Sequence, residues 1–364
     1  MWFGVRMKKL ESKKWFLDIY VCFAFLWMRF QNFNLKHKKR WRKVIKNSYK
    51  TDQNIEYDEW KDWIDGFTTS HLAMIKQCRV PVRSTDPIVI SVVRDEMERL
   101  PAFLAYYREL GIKRFAFIDN NSCDNTIEWL KKQQDVDVFS CSDAFSERRK
   151  IGWSNRVMGF YGAERWFLLL DGDEFLDWIQ RSEHSLSWMI HDFQKRNIFH
   201  VKALMVDMYA HNEGLQLADN FEEAFEDARY FDADTYYEKD TRYGVVMTGG
   251  IRKRVFDHEV WLTKYPLFCL REKELVLNAH LLYPIPEYEK SPCILALRHY
   301  KFILQEDVKK LKKYSKEENF CDGSKDPKVY YSSYKKNKFH FFYEDSREYS
   351  VPASLGFIRH LERI

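Results

Sequence analysis

The 364-residue chain lacks a glycine-rich phosphate loop: among its 13 glycines, neither G-x-G-x-x-G nor G-x-x-x-x-G-K-[ST] occurs. Both motifs let backbone N–H groups close on a phosphate. Their absence counts against dehydrogenases and P-loop enzymes, and it leaves any phosphate to a metal ion and to Lys or Arg. Cysteine gives no framework either. The seven cysteines (Cys22, Cys78, Cys123, Cys141, Cys269, Cys293, Cys321) are odd in number and scattered. They lack the short paired spacing of a zinc site or a disulfide scaffold, and a reducing cytoplasm is the simplest setting. No apolar run reaches the roughly 20 residues of a membrane-spanning helix. The best candidate, Trp15 to Phe30, is broken by Asp18 and Arg29. A polybasic stretch follows it in place of a small-residue cleavage site, which disfavours a signal peptide.

Aromatic residues are abundant, with 28 Phe, 21 Tyr and 12 Trp. They suit a large core and leave rings to spare for a sugar-like or planar ligand. The length exceeds the roughly 250 to 300 residues at which one core stops growing, so a main domain with appended segments is expected. The formal charge of +5 is unevenly spread. Residues 1–50 hold 14 of the 59 Lys and Arg but 2 of the 54 acids, so the remainder carries 45 basic and 52 acidic residues, a net of −7. An acidic body disfavours nucleic acid as a partner.

The apolar N-terminal run is flanked by Lys8, Lys9, Lys13 and Lys14 and by the basic residues from Lys36 to Lys46. Basic flanks attract anionic headgroups, and Trp15, Trp27 and the Phe residues suit the headgroup boundary. Peripheral contact with the inner face of a cytoplasmic membrane is expected. A helix docked on the protein's own core is the alternative.

From residue 87 the pattern alternates. Pro87 to Val93 reads as a strand ending in Arg94-Asp95-Glu96, and Pro101 to Leu110 as a helix stopped by Gly111. Arg114 to Ile118 is a second strand. The loop Asp119-Asn120-Asn121-Ser122-Cys123-Asp124-Asn125-Thr126 then enters a helix running to Gln133, and Ser122 or Asp124 can cap that helix. Val136 to Phe139 is a third strand, Trp153 to Ala163 a helix, and Trp166 to Leu170 a fourth strand. Such alternation implies an α/β fold with a mixed, mostly parallel sheet flanked by helices. The loops at Arg94, Asp119 and Asp171 then emerge along one edge, where ligands of open α/β sheets bind.

The fourth strand delivers Asp171-Gly172-Asp173-Glu174-Phe175. Carboxylates this close repel unless a cation neutralises them, and hard oxygen ligands suit Mg²⁺ or Mn²⁺. Gly172 lets the backbone turn and leaves room for a ligand. The alternative is an acidic turn that caps a following helix.

Val93-Arg94-Asp95-Glu96, the helix LPAFLAYYRELGI, Ile118-Asp119-Asn120-Asn121-Ser122 to Thr126, and WFLLLDGDEF together resemble the GT-A glycosyltransferases, especially bacterial ones near families 2 and 92. The likeness covers about residues 88 to 180, with weaker echoes to about 305. It implies a Rossmann-like GT-A fold in which Asp119 contacts the nucleobase, Arg94 and Glu96 line the nucleoside, and Asp171 and Asp173 hold the ribose and a Mn²⁺ or Mg²⁺ ion. Asp95 stands where that family commonly has Asn. A late His often completes the metal sphere in the family, which points to His299, with Lys301 beside it as a phosphate contact. His280 is the other candidate. Lys264-Tyr265-Pro266-Leu267 is similar to a Lys-x-Pro-Leu segment of the same relatives and marks Lys264 as a donor ligand.

Arg252 and Arg254 fall on one side of an extended chain after Gly249-Gly250, where paired guanidiniums can grip a diphosphate. Pairing with acids is the alternative. Asp207, Asp232, Asp257 and Glu259 are eligible as the base that takes the acceptor proton. Tyr209, Tyr236 and Tyr237 could shape an acceptor platform. The chain thus divides into residues 1–50, basic, apolar and membrane-surface associated; 51–86, a helical connection; 87–200, the nucleotide-sugar half; 201–308, the acceptor half; and 309–364, a tail or lid in which Phe339 to Tyr343 and Ser350 to Ile358 look ordered. The expected function is transfer of a sugar from a nucleotide-diphosphate donor to a glycan or glycolipid hydroxyl, in cell-surface polysaccharide or lipopolysaccharide synthesis, with inversion at the sugar implied by the resemblance alone. Its rivals are a metal-dependent nucleotidyltransferase or phosphohydrolase, and a non-catalytic membrane-surface protein of the same fold.

Overall fold

The computed structural model describes residues 15–26, 28, 38–51, 57–68, 71–211, 217–241, 243–284, 294–316 and 326–351. Residues 15–26 form helix α1, and α2 (Lys38–Thr51) and α3 (Tyr57–Thr68) follow. Next come β1 (Ala73–Lys76), β2 (Ile88–Val93), α4 (Leu100–Glu109), β3 (Phe115–Asp119), α5 (Thr126–Lys132), β4 (Val136–Ser140), α6 (Glu147–Tyr161), β5 (Arg165–Leu169) and β6 (Glu174–Asp177). The chain continues through α7 (Leu186–Lys195), β7 (His200–Asp207), α8 (Phe221–Asp227), β8 (Tyr230–Asp232), β9 (Tyr237–Thr241), β10 (Gly244–Thr248) and α9 (Gly250–Phe256). Last are β11 (Thr263–Leu270), β12 (Leu275–Asn278), β13 (Leu281–Tyr283), β14 (Ile294–His299), α10 (Gln305–Tyr314), α11 (Asp326–Asn337) and β15 (Ser346–Glu348).

Nine strands make one sheet in the order β1-β4-β3-β2-β5-β11-β7-β14-β6. The pairs β4/β3, β3/β2, β2/β5 and β7/β14 are parallel, while β1, β11 and β6 run against their neighbours. Six of the nine strands therefore point one way, giving a mixed, mostly parallel sheet with a Rossmann-like alternation in its first half. The buried strands carry runs such as IVISVV and FAFID, which are apolar on both faces because helices cover both.

One face packs against α4, α5, α7 and α8. In α4 the residues Leu100, Phe103, Leu104 and Tyr107 make the i, i+3, i+4, i+7 stripe that a helix turns toward a core. The other face takes α6, over which lie α1, α2 and α3. Helices α3 and α6 cross at two glycines. A Cβ on Gly66 would stand 2.5 Å from the Arg149 carbonyl oxygen, and one on Gly152 would stand 2.5 Å from that of Trp63. The stretch read as a connection, 51–86, thus supplies α3 to a packed layer and β1 to the sheet edge. Helix α1 buries Leu17, Val21, Ala24 and Phe25 against this layer, at about 1.5–3 kcal/mol for each fully buried large side chain. Trp27 and residues 352–358 lie outside the described residues.

Candidate active site

The sheet topology brings three loops to one edge, as their sequence positions require. After β2, Asp95 adopts φ 56°, a left-handed conformation that Asp tolerates. Its Oδ1 accepts the Cys123 N–H at 2.6 Å, and its own N–H donates to Ser122 Oγ at 2.9 Å. Asp124 caps α5 by accepting Thr126 N–H at 2.9 Å, and it also accepts Met97 N–H at 3.1 Å. The capping reading of Asp124 therefore holds, and the same side chain ties the first loop to the second.

The acidic turn lies between β5 and β6. It leads into a strand, so it is not a helix cap. Gly172 has no positive φ, and a Cβ there would meet only Glu96 atoms at 3.8 Å and beyond. The turn thus leaves room at Gly172 but does not require glycine. Strand register sets what surrounds it, because His299 of β14 pairs with Glu174 on one side and with Asp207 on the other. His299 Nε2 faces Asp173 Oδ2 at 3.3 Å, and its Nδ1 meets Asp207 at 2.5 Å. Asp207 is gripped in turn by Arg252, through Nε at 2.9 Å and Nη2 at 3.1 Å. Asp171 Oδ1 lies 2.8 Å from Lys150 Nζ and its Oδ2 lies 3.6 Å from Lys264 Nζ, while Lys264 also contacts Glu174.

These pairings invert what burial alone would do. Burial opposes ionisation of Asp173, yet His299, Lys301 and Arg99 hold its carboxyl well below the usual range. Burial likewise disfavours a charged His299, but Asp173 and Asp207 raise its pKa. Lys150 and Lys264 are raised against their burial, the first chiefly by Asp171 and the second by Glu174 and then Asp171. His280 goes the other way. Burial and the nearby Lys264 depress it to about 4, and its Nδ1 meets the Thr263 carbonyl at 2.9 Å. The ring is therefore neutral at pH 7, with Nδ1–H donating and a lone pair on Nε2.

Two cavities meet at this turn. The smaller, about 290 Å³, is lined by Arg94, Glu96, Arg99, Asp173 and Lys310, with Tyr314 and Tyr330 from the C-terminal helices α10 and α11. The larger, about 810 Å³, is lined by α3 residues and by Trp261, Lys264, Asn278, His280 and His299. Glu147, Lys150, Asp171 and Lys301 line both. Of the expected ligands, Arg94, Glu96, Asp171, Asp173, Lys264, His299 and Lys301 come together here, and Arg252 reaches the larger cavity.

Several expected residues do not reach either cavity. Asp119 is fully enclosed: its Oδ2 accepts Ser122 N–H at 3.2 Å, its Oδ1 has no hydrogen-bond partner among the described residues, and burial raises its pKa. Arg252 and Arg254 do not share one side of an extended chain. Gly249, with φ 107° and no space for a Cβ beside the Thr235 carbonyl, turns the backbone into helix α9. Arg254 points instead to Asp232, which it meets at 2.8 and 2.7 Å. Asp232 is enclosed and committed to that pair, and Asp257 and Glu259 lie exposed beside Lys253 and Lys239. None of the four carboxylates eligible as the base lines either cavity: Asp232, Asp257 and Glu259 are each held by a cation, and Asp207 is held by Arg252 and His299 behind the larger one.

Sequence reasoning missed Glu147 and Lys150. It began the helix at Trp153, whereas α6 starts at Glu147, with Ser146 Oγ accepting Arg149 N–H at 3.0 Å. A serine cap followed by an acid in the first turn was the available signal.

Among the described residues no three His, Cys, Asp or Glu side chains converge as a ready-made metal site. Asp173 Oδ2 and His299 Nε2 do face one another, and Asp207 orients the imidazole from behind as carboxylates do at metal-binding histidines. One carboxylate and one imidazole, which can bind a metal only after giving up the proton that Asp173 and Asp207 favour, fit Mn²⁺ better than Mg²⁺, whose ligands are oxygens.

No known protein family matches this sequence, and no curated protein matches it. Among solved structures, the chain has a weak similarity to two proteins. S. aureus TarS 1-349 is 12% identical with a TM-score of 0.25, over 36% of this chain and 38% of that one. HddC from Yersinia pseudotuberculosis is 12% identical with a TM-score of 0.32, over 63% of this chain and 100% of that one. HddC complexed with GMP-PN gives 10% identity and a TM-score of 0.29, over 63% and 99%. Such likeness is too slight to speak for the chemistry.

Proposed function

We propose that this protein is a transferase that moves a sugar from a nucleotide-diphosphate donor to a hydroxyl of a glycan or glycolipid acceptor. The observation that carries this reading is the pair of cavities sharing Glu147, Lys150, Asp171 and Lys301. Adjoining chambers suit a two-substrate transfer, which must bring donor and acceptor together at one point, and cations at the junction suit a leaving diphosphate.

The smaller cavity suits the nucleotide. Arg94 and Glu96 stand at its wall, and Tyr314 offers a ring against which the Arg94 guanidinium already lies at 5.5 Å. Lys150 would neutralise the diphosphate of the bound donor, and Lys264 and Lys301 the charge that develops on it as the bond to the sugar breaks. Asp173 and His299 would hold a Mn²⁺ ion, or less readily Mg²⁺, which when bound supplies Lewis-acid stabilisation of the leaving group. In the larger cavity His280 Nε2 would accept a hydrogen bond from the incoming hydroxyl. Its low proton affinity suits orientation better than proton removal. Glu147, on the shared wall, is the carboxylate best situated to receive the proton.

The test is turnover with a panel of nucleotide sugars and Mn²⁺. Wild-type protein is expected to release nucleoside diphosphate, whereas release of pyrophosphate would mean nucleotidyl transfer. Asp173→Ala is expected to lower kcat at least a hundredfold with its circular dichroism spectrum unchanged. Normal turnover by that variant would refute the assignment.

A further inference from the structure

We propose that the outer face of helix α1, with the basic edge of α2 beside it, docks on an anionic lipid bilayer. The proposal goes beyond the reaction above and stands without it. Helix α1 is apolar on two sides. Its inner side is Leu17, Val21, Ala24 and Phe25, all buried in the core. Its outer side carries Trp15, Phe16, Phe23 and Leu26 at 60%, 56%, 66% and 48% exposure. At the helical step these four fall within an arc of about 100°, and Ile19 lies between them, half-buried. A monomer in water gains nothing by presenting two Phe, a Trp and a Leu on one helix face.

The charge beside this face selects the occupant. Helix α2, KKRWRKVIKNSYKT, has seven basic residues and no acid. It runs antiparallel to α1: Arg42 Nη2 donates to Cys22 Sγ at 2.8 Å, and Lys46 and Lys50 reach Asp18 at 3.1 and 3.0 Å. Cys22 and Asp18 lie between the inner and outer sides of α1, so this stripe of α2 borders the exposed face. Lys39, Arg42, Lys43 and Lys50 are exposed along it. Apolar rings with a basic border match the headgroup boundary of an anionic leaflet. A second copy of this chain would instead bring two basic borders together, which repel.

The placement has a consequence. On the other side of α1 lies α3, whose Lys61 sits 5.2 Å over the Tyr20 ring of α1 and also lines the larger cavity. A bilayer seated on α1 would therefore lie beside the chamber assigned to the acceptor.

The test is flotation of the full chain with vesicles of phosphatidylcholine alone and of phosphatidylcholine mixed with phosphatidylglycerol. The chain is expected to float with the mixed vesicles, at least tenfold less with the neutral ones, and less as salt is raised. The double variant Trp15→Ser, Phe23→Ser should lose at least tenfold in vesicle binding with an unchanged thermal midpoint, because both side chains are already in solvent. Lys39→Ala, Lys43→Ala should weaken binding less and remove part of its salt dependence. Absence of flotation, flotation unaffected by the first double variant, or dimerisation that the same variant abolishes would each overturn the proposal. None of these outcomes depends on whether sugar transfer is detected.

Discussion

Asp173 and Asp232 are the same residue in opposite service. Each meets a cationic side chain, His299 for the first and Arg254 for the second. Asp232 is wholly enclosed, and its two oxygens are used up: Arg254 approaches both, Tyr209 OH donates to one at 2.7 Å and Thr235 Oγ1 to the other at 3.0 Å. Arg254 also donates to the Phe341 carbonyl, so the pair staples β8, α9 and the C-terminal segment together. Asp173 keeps 17% of its side chain exposed, faces a histidine at 3.3 Å and lines a cavity. A carboxylate with all its lone pairs committed inside the protein has none for a ligand. One held loosely at a cavity wall does.

Five substitutions can break or sharpen this contrast. Asp232→Ala should have the largest effect. It strips the partner from a half-buried guanidinium and should cost about 3–5 kcal/mol of stability, read as a fall in the urea midpoint with donor KM unchanged in the folded fraction. If stability holds and only turnover falls, the enclosed pair belongs to the reaction and the contrast fails.

His280→Gln should change how stability depends on pH. The folded-state pKa of about 4 lies below the ordinary histidine value of 6.5, so the unfolded chain binds more protons between them. Stability from this group is complete above pH 6.5 and is lost as pH falls toward 4. Unfolding free energies measured from pH 7 to pH 4 should drop on the order of 2 kcal/mol further in wild type than in the variant. Parallel curves would mean that the ring is not held neutral.

Lys150→Met removes a cation shared by the two cavities. Donor KM should rise about tenfold, or about 1.4 kcal/mol, with little change in thermal midpoint because Asp171 remains near Lys264. A fall in kcat with KM unchanged would move Lys150 from donor binding to the chemical step. The smallest effect is expected from Asp257→Ala and Glu259→Ala, whose exposed lysine pairs are screened by water. Neither melting nor turnover should differ measurably from wild type, and a loss of turnover in either would restore it as a base.

Much of the first half was legible because strands buried on both faces write themselves as apolar runs. Ile88–Val93, Phe115–Asp119, Val136–Ser140 and Arg165–Leu169 lie within a residue of the expected spans. The acidic turn was legible for the same reason, since a strand had to end before Asp171. Arg252 and Arg254 were misread as extended because a seven-residue helix shows too few turns for its period to register, and its start depends on the backbone of Gly249. Lys150 was missed because nothing local distinguishes it from Arg148 and Arg149 beside it.

The sequence by itself determined where the chain alternates, which loops share an edge, and that carboxylates gather at Asp171 to Glu174, because burial and turn chemistry act between near neighbours. Only the tertiary structure decided which cation each carboxylate meets. His299 reaches Asp173 and Asp207 through the register of β14 between β6 and β7, and Arg254 finds Asp232 across 22 residues. Such pairings depend on the register of distant strands and on helix placement, which local periodicity does not encode.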